Sequence, residues 1–180
     1  MKPFQLRTTE NELITIRAWK EADDLNFLTL LIRGAYKVLL DKGFRYWGTF
    51  QSVEDTRKRL SGGEAFIVER DCEIVGTITL KRQHLGPEET TWYDLESVCY
   101  FTQFAVKPEL QKTGLGSLMM NFVEDYAKEK GFQEIALDTC ENAVGLIKYY
   151  TKRGYRFIGH VQWDPSVVNY RSVVLSKSLK

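Results

Sequence analysis

Gln103–Lys130 reads QFAVKPELQKTGLGSLMMNFVEDYAKEK. Phe104 and Val106 close an apolar strand, Pro108 marks a loop, Gly114 and Gly116 mark a turn, and a helix follows. Leu115, Leu118, Met119, Phe122, Val123, Tyr126 and Ala127 recur at three- and four-residue steps and paint one apolar face. Asn121, Glu124, Asp125, Lys128 and Glu129 fill the other face. Gly131 follows the last turn, where a left-handed stop residue belongs.

The start of this helix carries the functional signal. The first N–H groups of a helix have no internal partner, and the helix dipole favours anions there. Gly114 and Gly116 let a ligand approach the backbone closely, so the turn is a physical site for phosphate. Three ligands compete. A Walker loop, G-x-x-x-x-G-K-S/T, needs a lysine after Gly116, and Ser117 stands there. A dinucleotide fingerprint, G-x-G-x-x-G, has its first two glycines and an acidic Asp138 downstream. Met119 replaces its third glycine, however, and Lys107 to Thr113 is too long for its tight turn. The third ligand is coenzyme A. Gln111-Lys112-Thr113-Gly114-Leu115-Gly116 matches Q/R-x-x-G-x-G/A. Preceded by Phe104-Ala105-Val106-Lys107-Pro108, it resembles the acetyl-CoA motif of the GNAT superfamily of N-acetyltransferases.

Composition narrows the class. The chain has 180 residues, 43% hydrophobic and 27% charged, which suits one sizeable core and a single domain over residues 1–180. A net charge of +1 leaves no electrostatic footprint for nucleic acid. No apolar run approaches the ~20 residues of a membrane span, and MKPFQLRTTENELI lacks a signal-peptide core. A cytoplasmic protein with no membrane partner is expected. Cys72, Cys99 and Cys140 are odd in number and widely spaced, and His84 and His160 stand far apart, so neither a disulfide framework nor a metal site is expected. Cys99 reads as core; Cys140 lies near the expected cofactor but lacks an evident base.

The remaining elements follow local pattern. Leu13–Trp19 alternates as a strand, and Lys20–Leu25 starts a helix over Leu25–Leu40. Its stripe is Leu28, Leu31, Ile32, Ala35, Tyr36 and Leu39. Asp41–Phe50 is an aromatic loop; Tyr46 and Trp47 either cover the core edge or wall an acceptor site. Ser52 opens a second helix, with Val53, Thr56 and Leu60 inward, closed by Gly62-Gly63. Glu64–Arg70 and Glu73–Leu80 form a hairpin. Lys81–Glu96 is a long, acidic loop that either attracts a cationic amine or is a solvated connector. Ser97–Val106 is apolar enough for the centre of a sheet. Phe132–Leu137 reads as a strand, Asp138–Asn142 as a loop, Ala143–Arg153 as a helix, and Tyr155–Val161 with Tyr170–Leu175 as a hairpin.

That order resembles the GNAT fold over nearly the whole chain. The resemblance implies an α/β (α+β) architecture. Its central mixed, mostly antiparallel sheet has about seven strands, splayed at strand 4, and is flanked by about four helices. LIKYYTKRGYRFIG resembles the second well-marked family segment, which puts the family tyrosine at Tyr150. By the resemblance, a bulge near Phe104 frees backbone of Phe104, Ala105 and Val106 to bond the pantetheine arm. Gln111, Lys112, Thr113, Gly114, Leu115, Gly116 and Ser117 then hold the pyrophosphate. An amine would attack the acetyl carbonyl directly in a ternary complex, and Tyr150 would protonate the departing thiolate. That makes the chain an acyltransferase transferring groups other than aminoacyl groups, with acetyl-CoA as co-substrate and no metal.

Two departures from the family pattern stand out. Some members carry an acidic residue on the fourth strand, and Ser97–Val106 has none; either Glu96 acts through water or the substrate arrives partly neutral. The family often has an asparagine seven residues before the tyrosine, where Ala143 stands. Asn142, one position off, either fills that cofactor-binding role or only caps the helix. The acceptor is a small-molecule or peptide amine, and the chain a monomer or homodimer. A non-catalytic acyl-CoA-binding module is the alternative; a nicotinamide-dependent dehydrogenase is a weaker third.

Overall fold

The computed structural model describes residues 2–8, 11–82 and 92–180. Eight strands form one sheet: β1 Phe4–Arg7, β2 Leu13–Ala18, β3 Glu64–Arg70, β4 Glu73–Arg82, β5 Val98–Val106, β6 Glu134–Cys140, β7 Arg156–Val161 and β8 Ser172–Ser178. The helices are α1 Leu25–Leu40, α2 Val53–Ser61, α3 Leu115–Glu129 and α4 Val144–Lys152. The spatial order is β1-β2-β3-β4-β5-β6-β8-β7. Only β5 and β6 run parallel; every other neighbouring pair is antiparallel.

The period-2 pattern of β3 explains the layers. Ala65 and Ile67 pack with Leu25, Leu28 and Leu60 under α1 and α2. Phe66 and Val68, on the other face, join Met119, Val123 and Ala127 of α3 and Tyr150 of α4. Asp24 caps α1 by accepting from the N–H groups of Asn26 and Phe27 at 2.9 and 3.0 Å. Ser52 and Asp55 form a reciprocal capping box on α2. The hairpin between β3 and β4 turns on Asp71 and Cys72, at φ 52° and 65°, the positive pair that a two-residue type I′ turn requires.

Several expectations are corrected. The sheet has eight strands where about seven are expected, because Phe4–Arg7 adds to the edge of β2. This strand is four residues long and only half buried, so its pattern is weak. Phe4 is held by tertiary contact, its ring 5.0 Å from that of Phe122. The segment expected as a loop from Asp138 is strand as far as Cys140, since β8 pairs along all of β6. Val53 is exposed rather than inward. Of the long loop expected over Lys81–Glu96, residues 81 and 82 belong to β4, and 83–91 lie outside the described residues.

Glu124 also departs from its expected polar face: it is 6% exposed. It accepts from Tyr155 Oη at 3.1 Å, Arg153 at 3.3 Å and Lys177 Nζ at 2.5 Å, tying α3 to the end of α4 and to β8. Removing one member of a buried ionic network strands the others. Glu124→Gln is expected to cost about 3 kcal/mol, read as a Tm lower by roughly 6–12 °C. A shift under a degree or two would mean that the cluster contributes nothing net.

Candidate active site

The site begins with a defect in the sheet. Thr79 pairs with Thr102 and Thr77 with Ala105, so β5 carries one residue more than β4 over this stretch. Gln103 absorbs the bulge at φ 53°. On its other side β5 pairs with β6 only from Val98↔Glu134 to Tyr100↔Ala136. Beyond Tyr100 the two strands part, as expected for a sheet splayed near Phe104, and a cavity of about 700 Å³ opens at the split. Among the described residues, the β5 edge over residues 101–106 has no strand neighbour there.

One end of the cavity is the start of α3. Gly114 caps the helix at φ 94°, and a Cβ there would meet nothing within 4 Å. The first engaged donor is the Leu118 N–H, which reaches Gly114 O at 3.0 Å. Among the described residues, the N–H groups of Lys112 to Ser117 make no hydrogen bond. A Cβ on Gly116 would lie 3.4 Å from Phe104 Cζ, so glycine keeps this wall open. Gln111 has a supporting role: its Nε2 donates to Ala35 O at 3.1 Å and Val106 O at 3.3 Å, anchoring the loop to α1 and β5.

Phe104, Val106, Gln111, Lys112, Gly114, Gly116 and Ser117 therefore border one cavity. Ala105, Thr113 and Leu115 do not. Ala105 packs beside Leu31, Ile32 and Ala35, Leu115 lies in the core, and Thr113 Oγ1 donates to Leu110 O at 2.8 Å.

The floor is aromatic. Tyr150 is 7% exposed and borders the cavity beside Tyr149. Burial, then the nearby Tyr36, Tyr149, Tyr46 and Asp138, push the Tyr150 phenol well above its ordinary range. Tyr149 is engaged elsewhere, its hydroxyl 3.2 Å from Ser117 Oγ.

The far end is walled by the aromatic loop and β6. The Tyr46 hydroxyl lies 2.7 Å from Thr139 Oγ1 and accepts from the Cys140 N–H at 3.0 Å, which staples the loop to β6. Trp47 follows it into the lining. Asp138 also faces the cavity, accepting from Trp163 Nε1 at 2.8 Å. Arg59 of α2 and Lys81 of β4 complete this end.

Asp138, Arg59 and Lys81 escaped sequence reasoning as a group. The sequence pattern ends the strand at Leu137 and leaves Asp138 in the following loop, whereas Asp138 lies within β6. Arg59 lies three residues after the inward Thr56, a spacing that puts a cation on the buried face.

Two further sequence-derived residues lie away from the cavity. Glu96 is exposed, in the turns before β5, and Asn142 is exposed before α4; neither is in the lining. Asn142 does not cap α4 either, since Ala143 is the N-cap and no side chain bonds it. Cys99 is buried with its thiol pushed up to about 12, so it is core; burial also raises Cys140. Among the described residues, no three His, Cys, Asp or Glu side chains group to hold a metal, and no helix is long and apolar enough to cross a membrane.

A family model for acetyltransferases of the GNAT type matches residues 27–155. The chain belongs to the GNAT acetyltransferase family. The matched span runs from α1 to the end of α4 and so contains the bulge, the glycine turn and Tyr150. No curated protein matches the sequence. Solved structures do. One is a GNAT family acetyltransferase from Elizabethkingia anophelis with acetyl-CoA bound, at 18% identity over 92% of this chain and 97% of that one, TM-score 0.60. Another is the ribosomal-protein-S18-alanine N-acetyltransferase of Escherichia coli, at 12% identity over 93% and 94%, TM-score 0.68. A third is N-acetylglutamate synthase from Neisseria gonorrhoeae complexed with coenzyme A and N-acetyl-glutamate, at 17% identity over 93% of this chain and 35% of that one, TM-score 0.64. At these identities the likeness shows the GNAT fold.

Proposed function

We propose that the chain is an acetyl-CoA-dependent N-acetyltransferase acting on a primary amine by direct attack in a ternary complex. One observation carries this reading. A single cavity joins the unengaged N–H groups at the start of α3 to the split edge of β5, to Tyr150 and to Asp138. The donors at Lys112 to Ser117 suit a pyrophosphate, and the unpaired edge of β5 suits the amide-bearing pantetheine arm. Two of the similar structures contain acetyl-CoA or coenzyme A, and this chain's glycine turn leaves the room such a ligand needs. Cys72, Cys99 and Cys140 are free thiols, which suits a reducing cytoplasm.

The bottom-up chemistry follows from the residues. Asp138 accepts a proton from the incoming ammonium, directly or through a water, leaving a lone pair to form the C–N bond. Free backbone N–H groups on the β5 edge stabilise the oxygen that gains charge. As the C–S bond breaks, the Tyr150 phenol gives its proton to the thiolate. Its raised pKa keeps it protonated throughout the neutral range, as an acid requires. The second amine proton returns through solvent to the Tyr150 phenolate, and Asp138 gives up its proton to solvent, so both groups are restored. Asp138, rather than Glu96, takes the role of base in this reading, because it faces the cavity and Glu96 does not.

The test is thiol release over an amine panel, with Asp138→Asn alongside wild type. The variant is expected to lose about 100-fold in kcat/KM at pH 7. Activity should recover as pH rises and the amine sheds its own proton. A deficit that stays constant with pH would remove Asp138 as the base. Acetyl-CoA binding with no thiol release by any amine would leave the non-catalytic module as the better reading.

A further inference from the structure

Arg59 is the anomaly of this chain. Other arginines find ion-pair or carbonyl partners, although the Arg153 Nε is, like that of Arg59, buried without a hydrogen bond. Arg17 pairs with Asp23 and Glu69 at 2.8 Å each, Arg153 pairs with Glu124 at 3.3 Å, and Arg33 donates to the carbonyls of Gln51 and Phe50 at 2.9 Å each. Arg59 makes no ion pair within the described residues, and its Nε is sealed from solvent without a hydrogen-bond partner. The guanidinium borders the cavity with its Cζ 5.9 Å from the centroid of the Trp47 ring. Lys81 borders the same end. Burial is the leading influence on both cations and lowers their pKa; for Lys81 the charge of Arg59 adds to it. Asp138 acts on Arg59 through its charge but forms no ion pair with it, and two desolvated cations that feel each other are costly unless an anion joins them.

We propose that Arg59 and Lys81 form the subsite for a carboxylate on the acceptor, so that the substrate is a small amino-acid-like primary amine. This rests on the acetyltransferase reading above. The pyrophosphate does not explain these cations: it would be held at the start of α3, whereas Arg59 and Lys81 come from α2 and β4. The opposite charge of Asp138 on the same cavity orders the acceptor, ammonium toward Asp138 and carboxylate toward the guanidinium fork. Tyr36 and Trp47 line the same cavity and limit its size. Gly48 helps to set that wall, since a Cβ there would come within 2.8 Å of the Tyr36 ring.

The experiment is a paired panel: small amino acids against their carboxamides, read by thiol release for wild type and Arg59→Gln. Wild type is expected to favour each acid at least ~10-fold in kcat/KM, and the variant to reduce that ratio to about twofold or less, with acetyl-CoA affinity unchanged. Equal use of acid and amide by wild type, or a preference that survives Arg59→Gln, overturns the proposal. Simple carboxylates give a test on wild type alone, should the variant fold poorly. Propionate and succinate should inhibit competitively against the amine while propionamide and succinamide do not; lack of that difference also overturns it. Calorimetry with acetyl-CoA separates the two levels. Wild type that does not bind acetyl-CoA refutes the functional reading itself, whereas binding and amine turnover without acid preference refute only the carboxylate subsite.

Discussion

Tyr150→Phe is expected to lower kcat by about 100-fold or more, with acetyl-CoA affinity held within about twofold. The phenol donates no hydrogen bond within the described residues, so removing its oxygen breaks no internal contact. The ring keeps its neighbours: Tyr149 at 5.3 Å, Tyr155 at 5.8 Å and Phe101 at 6.4 Å between centroids. Stability should therefore change by no more than about 1 kcal/mol, and the loss should fall on the chemical step. The pH dependence follows in sign. Burial raises the Tyr150 pKa well above 10, so the acid stays protonated below that value and adds no falling limb between pH 6 and 9. Tyr149→Phe is the control. It loses only the 3.2 Å contact with Ser117 and should cost less than tenfold. If the Tyr149 variant fails and the Tyr150 variant turns over normally, the two tyrosines have been assigned the wrong way round.

Gly114→Trp should raise the dissociation constant for acetyl-CoA at least ~100-fold. The reason is geometric. A Cβ at Gly114 meets nothing within 4 Å, so an indole has room in the free protein, and that room is the space the phosphates would need. The left-handed φ of 94° adds a strain of about 1–2 kcal/mol for any side chain, so Tm should fall by only a few degrees. Calorimetry on folded variant and wild type reads the two effects apart. Unchanged affinity would mean that the start of α3 does not hold the pyrophosphate.

Much of this was legible in the residues. The stripe of α1 predicts Leu25–Leu40, and those are its bounds. The glycine turn and the apolar face of α3 are also local, because a helix period is written by residues a few positions apart, whereas the bulge near Phe104 was implied by the family resemblance. The same locality brought the family resemblance and Tyr150 within reach. What failed was what neighbours do not encode. Glu124 sits on the polar side of its own helix pattern, yet Lys177, Arg153 and Tyr155 converge on it from later elements. Asn142 and Glu96 have suitable chemistry in the sequence and face solvent in the fold.

The sequence by itself determined the four helices and all but one of the strands, though not every strand's end, as well as the phosphate-ready glycine turn that opens α3 and the GNAT family. Only the tertiary structure decided that β8 inserts between β6 and β7, that β6 continues through Asp138, and that Arg59, Lys81 and Asp138 share one cavity. Periodicity reports which face of an element is buried. It does not report what that face meets, and residues drawn from α2, β4 and β6 meet only because the sheet splits between β5 and β6.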